Sequence, residues 1–182
     1  MIELKSLLNL DENQQRFHLL KFLETVLEYS STLENILVPQ LLEALNESKF
    51  DSYHDLLIEC KNLVSKWSVK DKATFVNSHP RIGEQSNLSA LSAKEQAARK
   101  TPEDVLLKLS DLNSKYEVFY PQLRFITFVN GRTRAQIIPE IEGILNNTQT
   151  IQSYGSDRWL NELNRDIHSM WLIAQSRLNN LQ

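Results

Sequence analysis

The apolar residues of this chain recur at helical spacing, and this pattern limits the fold more than any other feature of the sequence. It is clearest at Leu160, Leu163, Ile167, Met170, Ala174, Leu178 and Leu181, and again at Val105, Leu109, Leu112, Tyr116 and Phe119. Strand-like alternation is nearly absent, and only four glycines and five prolines interrupt the 182 residues. The sequence therefore predicts an all-α single-domain bundle of about eight helices over residues 1–182.

Helix-start signals accompany this spacing. Each is a Ser, Thr or Asp that can cap a helix N-terminus, followed three residues later by an acid or a glutamine. The signals are DENQ from Asp11, SYHD from Ser52, SVKD from Ser68, SAKE from Ser92 and TPED from Thr101. We expect a helix to begin at each of them.

One apolar run lacks the helical period. The segment RFITFVNGR, Arg124–Arg132, follows Pro121 and ends in Asn-Gly, which is typical of a turn. A short strand would suit this composition, but the sequence offers no second strand to pair with it. We therefore interpret the segment as a buried extended connector between helices.

Charge and cysteine content exclude several classes of protein. Lysine and arginine number 20 against 23 acids, and the two signs are interspersed, which gives no basis for binding nucleic acid or an anionic membrane. The single cysteine, Cys60, cannot form an intramolecular disulfide, and its helical context indicates a buried residue in a reducing compartment. No apolar run is long enough to span a membrane, and no signal peptide is recognisable. We expect a soluble cytoplasmic protein.

His79 is the strongest candidate for chemistry. It lies in NSHPRIGEQS, Asn77–Ser86, directly before Pro80, which disfavours helical backbone at the preceding residue and so ends a helix there. Few apolar neighbours in this segment can pack the imidazole, and histidine titrates near neutral pH, so His79 can serve as an acid or a base. A helix stop with a polar side chain is an equally good interpretation. The remaining histidines lie inside helical patterns and are expected at or near the surface: His18, His54 and His168.

The segment SAKEQ, Ser92–Gln96, has two compatible interpretations. Ser92 and Glu95 have the spacing of a capping box, which alone would explain both residues. A glutamate near a helix N-terminus also lies close to a place that favours bound anions. Because only a short polar loop separates Glu95 from His79, the two side chains could face each other across a small site.

Other kinds of catalytic site find little support in the sequence. No histidine or cysteine pair has the spacing of a metal site, no serine lies in a glycine-flanked elbow, and glycine-rich phosphate loops are absent. If the protein is an enzyme, we expect it to work without a cofactor, by acid–base chemistry.

Several segments, taken in order, resemble one family. They are FLETVLEYS, HPRIG, LSALSAKEQ, LNSKYEVFYPQLRFITFV and IAQSRL, and they span most of the chain. In this order they are similar to the 2-oxo-4-hydroxy-4-carboxy-5-ureidoimidazoline (OHCU) decarboxylases of urate degradation. The resemblance implies an all-helical, cofactor-free homodimer that binds a small ureidoimidazoline, releases carbon dioxide and yields (S)-allantoin.

The resemblance also implies roles for individual residues. His79 would be the catalytic imidazole and Pro80 the wall beside it, while Glu95 and Gln96 would be the acid and amide of the site, with Ser92 at the start of their helix. Arg177 would reach the substrate from the last helix. Backbone groups of the connector would contact the ligand, at Phe125, Ile126, Thr127, Phe128 and Val129.

The sequence departs from the family pattern near this proposed site. Arg81 stands where many members have an acid, AARK where they have a glycine-rich segment, and Asn130 where an arginine is expected, although Arg132 or Arg134 could supply that charge. The alternative function is therefore a family member that has lost the chemistry and acts as a helical binding module. The resemblance also allows a peroxisomal location, but the final residues NNLQ do not form a peroxisomal targeting tripeptide.

Overall fold

The computed structural model describes residues 2–47, 49–84, 88–97 and 101–181, without the side chains of residue 90 and residues 95–97. Among these residues there are nine α-helices and no strand, which confirms the predicted all-α fold. The helices are α1 Leu4–Leu8, α2 Glu12–Val26, α3 Val38–Glu47, α4 Tyr53–Ser65, α5 Val69–Val76, α6 Ala90–Ala97, α7 Glu103–Phe119, α8 Arg134–Asn146 and α9 Asp157–Asn179. A π-helical turn, Leu33–Leu37, leads directly into α3.

Three of the five predicted helix starts are confirmed by their caps. Asp11, Ser52 and Ser68 each accept a hydrogen bond from the backbone N–H three residues later, at 3.0, 3.2 and 3.1 Å. Ser52 also completes a capping box with Asp55. A further capping box at Thr133, with Gln136, begins α8 and was not predicted, although its sequence, TRAQ, fits the same rule.

The two other predicted starts lack the predicted caps. Helix α6 begins at Ala90, and the hydroxyl of Ser89 accepts from the N–H of Ser92 at 3.2 Å, so Ser92 lies inside the helix rather than at its cap. Helix α7 begins at Glu103, within the predicted TPED signal, but its N-cap is Pro102 and no side chain caps it. The hydroxyl oxygen of Thr101 accepts a hydrogen bond from Arg134 at 2.5 Å. In α6, the neighbouring Ser89 supplies the cap that spacing alone assigned to Ser92.

The chain divides into two compact units, and the prediction of a single domain stays a prediction. Unit 1 comprises Met1–Ser78 and Trp171–Gln182. Its core contains Leu19, Leu23, Val26, Leu33, Leu37, Leu41, Leu56, Cys60, Val64, Phe75, Ala174 and Leu178, all nearly inaccessible to solvent. Burial raises the pKa of the Cys60 thiol well above its ordinary value, in keeping with the buried apolar role expected for it.

Unit 2 comprises His79–Met170. Its fully buried residues include Leu109, Tyr116, Phe125, Ile137, Ile141, Trp159 and Met170. Between α7 and α8, residues 123–129 form neither helix nor strand, and Phe125, Ile126 and Thr127 are buried, as the connector interpretation predicted. Within the described ranges, no helix is both long and apolar enough to cross a bilayer.

Candidate active site

His79 is buried, with 2 % of its surface exposed, which corrects the expectation of a sparsely packed side chain. The expectation failed because the polar residues beside it in sequence do not decide its burial, which depends on the fold. Its backbone C=O accepts a hydrogen bond from Nη1 of Arg124 at 3.4 Å. Arg124 directly precedes the connector residue Phe125, so unit 2 brings the His-Pro loop and the connector together. The other histidines are half-buried or exposed, as predicted: His18, His54 and His168.

The loop after His79 is held by α7. The side-chain amide of Asn113, itself buried, donates to the C=O of Ile82 at 3.0 Å. Gly83 then turns the chain at a φ of +85°, a conformation that L side chains rarely adopt. A Cβ at this glycine would lie 3.2 Å from Cδ1 of Leu109. The loop therefore has one closely defined path over α7.

Arg81, the residue that departs from the family pattern after His-Pro, is paired within unit 2. Its Nη2 donates to Oε2 of Glu117 at 2.7 Å, and its Nε to Oε1 of the same carboxylate. The hydrogen bonds from Arg81 to Glu117 raise the pKa of the guanidinium further. The backbone N–H of Arg81 also donates to Glu84 at 2.9 Å. The arginine that departs from the family pattern therefore connects the loop to α7 by an ion pair.

Helix α6 carries the predicted residues Ser92, Glu95 and Gln96. Ser92 is buried, with 2 % exposed. The side chains of Glu95 and Gln96 lie outside the described part of the structure, so the proposed approach of Glu95 to His79 stays a prediction. Pro80 follows His79 in the loop and is half-buried.

Much of the connector backbone is bound by side chains of unit 2. The N–H of Ile126 donates to Oδ1 of Asp166 at 3.0 Å, and its C=O accepts from Nη1 of Arg165 at 2.9 Å. Arg132 donates to the C=O groups of Phe128 at 2.7 Å and Val129 at 3.0 Å. It also pairs with Glu140 at 2.8 Å, so this arginine is engaged with the connector itself.

Asp166 lies at the centre of a buried polar cluster on α7 and α9. Its Oδ1 accepts from Nη2 of Arg165 at 2.6 Å, and its Oδ2 lies 3.0 Å from the hydroxyl of Tyr116. The same hydroxyl lies 2.8 Å from Oε1 of Glu162, which accepts from Nε of Arg165 at 2.7 Å. The Arg165 guanidinium also lies over the Phe125 ring, 4.7 Å from its centre.

The geometry of this cluster accommodates one extra proton. Tyr116 has one hydroxyl hydrogen but touches two carboxyl groups, so one of those contacts is filled only if a carboxyl group carries a hydrogen. Burial, opposed by Arg165 and assisted by Glu162, raises the pKa of Asp166 to about 8. A protonated Asp166 can donate to Tyr116, which then donates to Glu162, leaving Glu162 as the counter-ion of Arg165.

Arg177, predicted to reach the substrate, lies in unit 1. It is 5 % exposed, and its Nη1 donates to Oε1 of Glu28 at 2.9 Å. Glu28 is also buried and has a φ of +85°, which is unusual for a residue other than glycine. The contact of Arg177 with a substrate stays a prediction.

Two of these residues, Glu28 and Asp166, were not predicted from the sequence. Asp166 had a signal, since it lies between Leu163 and Met170 on the apolar stripe of the last helix, where a carboxyl group is seldom buried without a partner. Glu28 lies in the quoted segment FLETVLEYS, but nothing in the sequence shows its positive φ or its partner 149 residues away.

Comparisons with known proteins agree with this fold. The sequence profile of the family described as OHCU decarboxylase matches residues 13–179. A solved structure titled "Crystal structure of (S)-allantoin synthase" matches with a TM-score of 0.65 and 20 % identity, over 98 % of this chain and 54 % of that one. This chain therefore spans about half the length of that protein, and at this identity the likeness shows the fold. A comparison with curated protein sequences finds no match. On the match over residues 13–179, the chain belongs to the OHCU decarboxylase family.

Proposed function

We propose that this protein decarboxylates 2-oxo-4-hydroxy-4-carboxy-5-ureidoimidazoline to (S)-allantoin, with His79 as the acid–base group. The observation that carries the proposal is the meeting of two segments in unit 2: the buried His79 loop and the connector, joined by the Arg124 contact to the His79 C=O at 3.4 Å. Family membership supports the class of reaction and the small ureidoimidazoline substrate.

The chemistry suits these residue types. The substrate carries its carboxylate on a carbon next to a carbon–nitrogen double bond, so the electron pair of the breaking C–C bond can move into that double bond as carbon dioxide leaves. The nitrogen of that double bond takes up a proton. The enol so formed becomes allantoin when its hydroxyl loses a proton and the neighbouring carbon, formerly part of the carbon–nitrogen double bond, takes one up. An imidazole can deliver that proton, and fixed polar groups around the ring decide which face receives it. Glu95 and Gln96 would hold the ring or ureido nitrogens, and connector backbone groups the oxygens.

Burial of His79 strengthens its role as a proton donor. Water that reached the reacting carbon could protonate it from either face, whereas a buried imidazole in a closed loop delivers its proton from one direction. Asn113, Gly83 and the Arg81–Glu117 pair restrict this loop and so reduce the positions that His79 can adopt.

The test generates the unstable substrate from urate with urate oxidase and hydroxyisourate hydrolase, and follows the optical activity of allantoin with and without this protein. We expect rapid formation of the S enantiomer, and a loss of about a hundredfold or more in His79→Gln, which keeps a polar side chain of similar reach in the buried position. Allantoin that forms at the uncatalysed rate, as a racemate, would support the binding-module alternative.

The proposed homodimer is a separate expectation from the family resemblance. Sedimentation velocity at micromolar concentration measures it directly. A single monomeric species would remove the dimer from the proposal without affecting the chemistry, since no residue of a second copy enters the argument for His79.

A further inference from the structure

We propose that Asp166 and Arg165 are positioning residues for this reaction: they hold Ile126 by both of its backbone groups and thereby present the backbone of Phe125 and Thr127 to the substrate. This inference rests on the proposed function. It adds two side chains that do not touch the substrate themselves. They set the position of the connector, whose backbone contacts the substrate.

Asp166 and Arg165 together form a clamp on the backbone of Ile126, and this clamp takes the place of a neighbouring strand. In a sheet, the N–H and C=O of one residue are both bound by the adjacent strand. Here Oδ1 of Asp166 accepts the N–H at 3.0 Å, and Nη1 of Arg165 donates to the C=O at 2.9 Å. Because Nη2 of Arg165 also donates to Asp166 at 2.6 Å, the two side chains are joined to each other opposite a single residue.

The clamp leaves a defined set of backbone groups for a ligand. Arg132 donates hydrogen bonds to the C=O groups of Phe128 and Val129. No group in the described part of the chain bonds to the backbone N–H or C=O of Phe125 or Thr127, although both residues are buried. Buried amides nearly always have a partner, either protein, water or ligand. Phe125 and Thr127 are therefore the positions where a ligand rich in carbonyl and N–H groups, such as a ureido compound, fits the connector.

The rest of the cluster makes the clamp rigid. Asp166 is fully buried, and Tyr116 fixes its second oxygen at 3.0 Å. Glu162 supplies a further anchor to Arg165 at 2.7 Å, and Phe125 lies under the guanidinium. A shift of Asp166 would therefore move Ile126, and with it the amides on both sides. Displacements of about 1 Å in positioning groups can reduce turnover about a hundredfold.

Two variants of Asp166 separate positioning from charge. Asparagine reproduces a protonated carboxyl group, since its Oδ1 can accept from Ile126 and Arg165 while its Nδ2 donates to Tyr116. We expect Asp166→Asn to keep turnover within about threefold of wild type. Asp166→Ala removes the clamp, and we expect kcat to fall about a hundredfold with a smaller change in KM.

The matched control is Ile141→Ala, a truncation of a fully buried residue on α8. It should weaken the fold of unit 2 while leaving kcat unchanged at a temperature where all variants remain folded. Equal kcat values in Asp166→Ala and Ile141→Ala would overturn the inference, and so would an Asp166→Asn variant as slow as Asp166→Ala.

A binding measurement keeps this inference separate from the proposed function. (S)-Allantoin is titrated into the ¹⁵N-labelled protein, and the amide resonances of Phe125 and Thr127 are followed. We expect both to shift in wild type and Asp166→Asn but not in Asp166→Ala. Shifts in an inactive wild-type protein would overturn the decarboxylase function and leave the clamp standing. Turnover in the wild type without these shifts would overturn the clamp alone.

Discussion

Glu28 and Arg177 form an ion pair in which both side chains are almost completely buried, with 7 % and 4 % exposed, and Nη1 and Oε1 lie 2.9 Å apart. The pair links the turn after α2 to the last turns of α9, within unit 1. Glu28 has a φ of +85°, so the backbone adopts a strained conformation at the residue that neutralises the arginine. Such strain persists only where the surrounding contacts outweigh it, and the ion pair is one of those contacts.

The first prediction concerns this pair. Glu28→Gln removes the charge that balances a buried guanidinium, so we expect the free energy of unfolding to fall by about 3 kcal/mol. Urea titration measures the change. The control is Glu24→Gln, which breaks an exposed ion pair with Lys21 on the same helix and should cost under about 1 kcal/mol. Equal losses in the two variants would show that the buried pair contributes no more than a surface one.

The second prediction concerns two glycines, because replacing each with alanine should change the stability of the protein in opposite directions. Gly83→Ala introduces a Cβ at a φ of +85° and 3.2 Å from Leu109, so we expect a loss of about 1–2 kcal/mol in stability and a reduced turnover. Gly143 lies in α8 with nothing within 4 Å of an added Cβ. Gly143→Ala should therefore stabilise the helix by about 1 kcal/mol. Thermal melting of both variants tests the pair, and a stabilised Gly83→Ala would contradict the tight loop path.

The third prediction is a pH dependence that arises from Asp166. Its folded pKa of about 8 is raised above the unfolded value of about 3.9, so the folded protein holds a proton that the unfolded chain releases. This contribution to stability is fully present below about pH 4 and is lost as the pH rises through about 8.

Asp166→Asn isolates that contribution, because asparagine does not titrate. The free energy of unfolding of wild type minus that of the variant should fall steadily between pH 5 and pH 8 when both are measured by urea titration. A constant difference across this range would mean that Asp166 is ionised in the folded protein throughout.

The fourth prediction concerns Glu95. Because α6 begins at Ala90 and Ser89 caps it, Glu95 lies in the second turn of the helix and the capping interpretation no longer explains it. We expect Glu95→Gln to lower turnover by about a hundredfold with an unchanged melting temperature. Ser89→Ala should show the reverse, costing about 1 kcal/mol of stability without loss of turnover. Full activity in Glu95→Gln would remove this residue from the chemistry.

The sequence predicted features that depend on local rules. Helical spacing identified the all-α fold, and capping residues located the starts of α2, α4 and α5, because these signals operate over three or four residues. The connector was predicted as a buried segment without a partner strand, since RFITFV is apolar but not helical in period. Each of these predictions uses only residues close together in the sequence.

Features that depend on distant contacts could not be predicted in the same way. The start of α6 was placed at Ser92 because Ser92 and Glu95 have the spacing of a capping box. Ser89 is an equally good cap by type, and only the structure shows which hydroxyl accepts. His79 was expected to be sparsely packed because its sequence neighbours are polar, yet it is buried. Asp166 receives the N–H of Ile126, 40 residues earlier, a pairing that no local rule reveals.

The division of the chain into units has a consequence for its synthesis. Unit 1 contains both Met1–Ser78 and Trp171–Gln182, so a growing chain has all of His79–Met170 before the last part of unit 1 exists. A chain truncated after residue 170 would therefore contain the whole of unit 2 and only part of unit 1, with Glu28 lacking Arg177 to neutralise it. Unit 2 is thus encoded by one continuous segment, whereas unit 1 can be completed only when both of its separate segments are present.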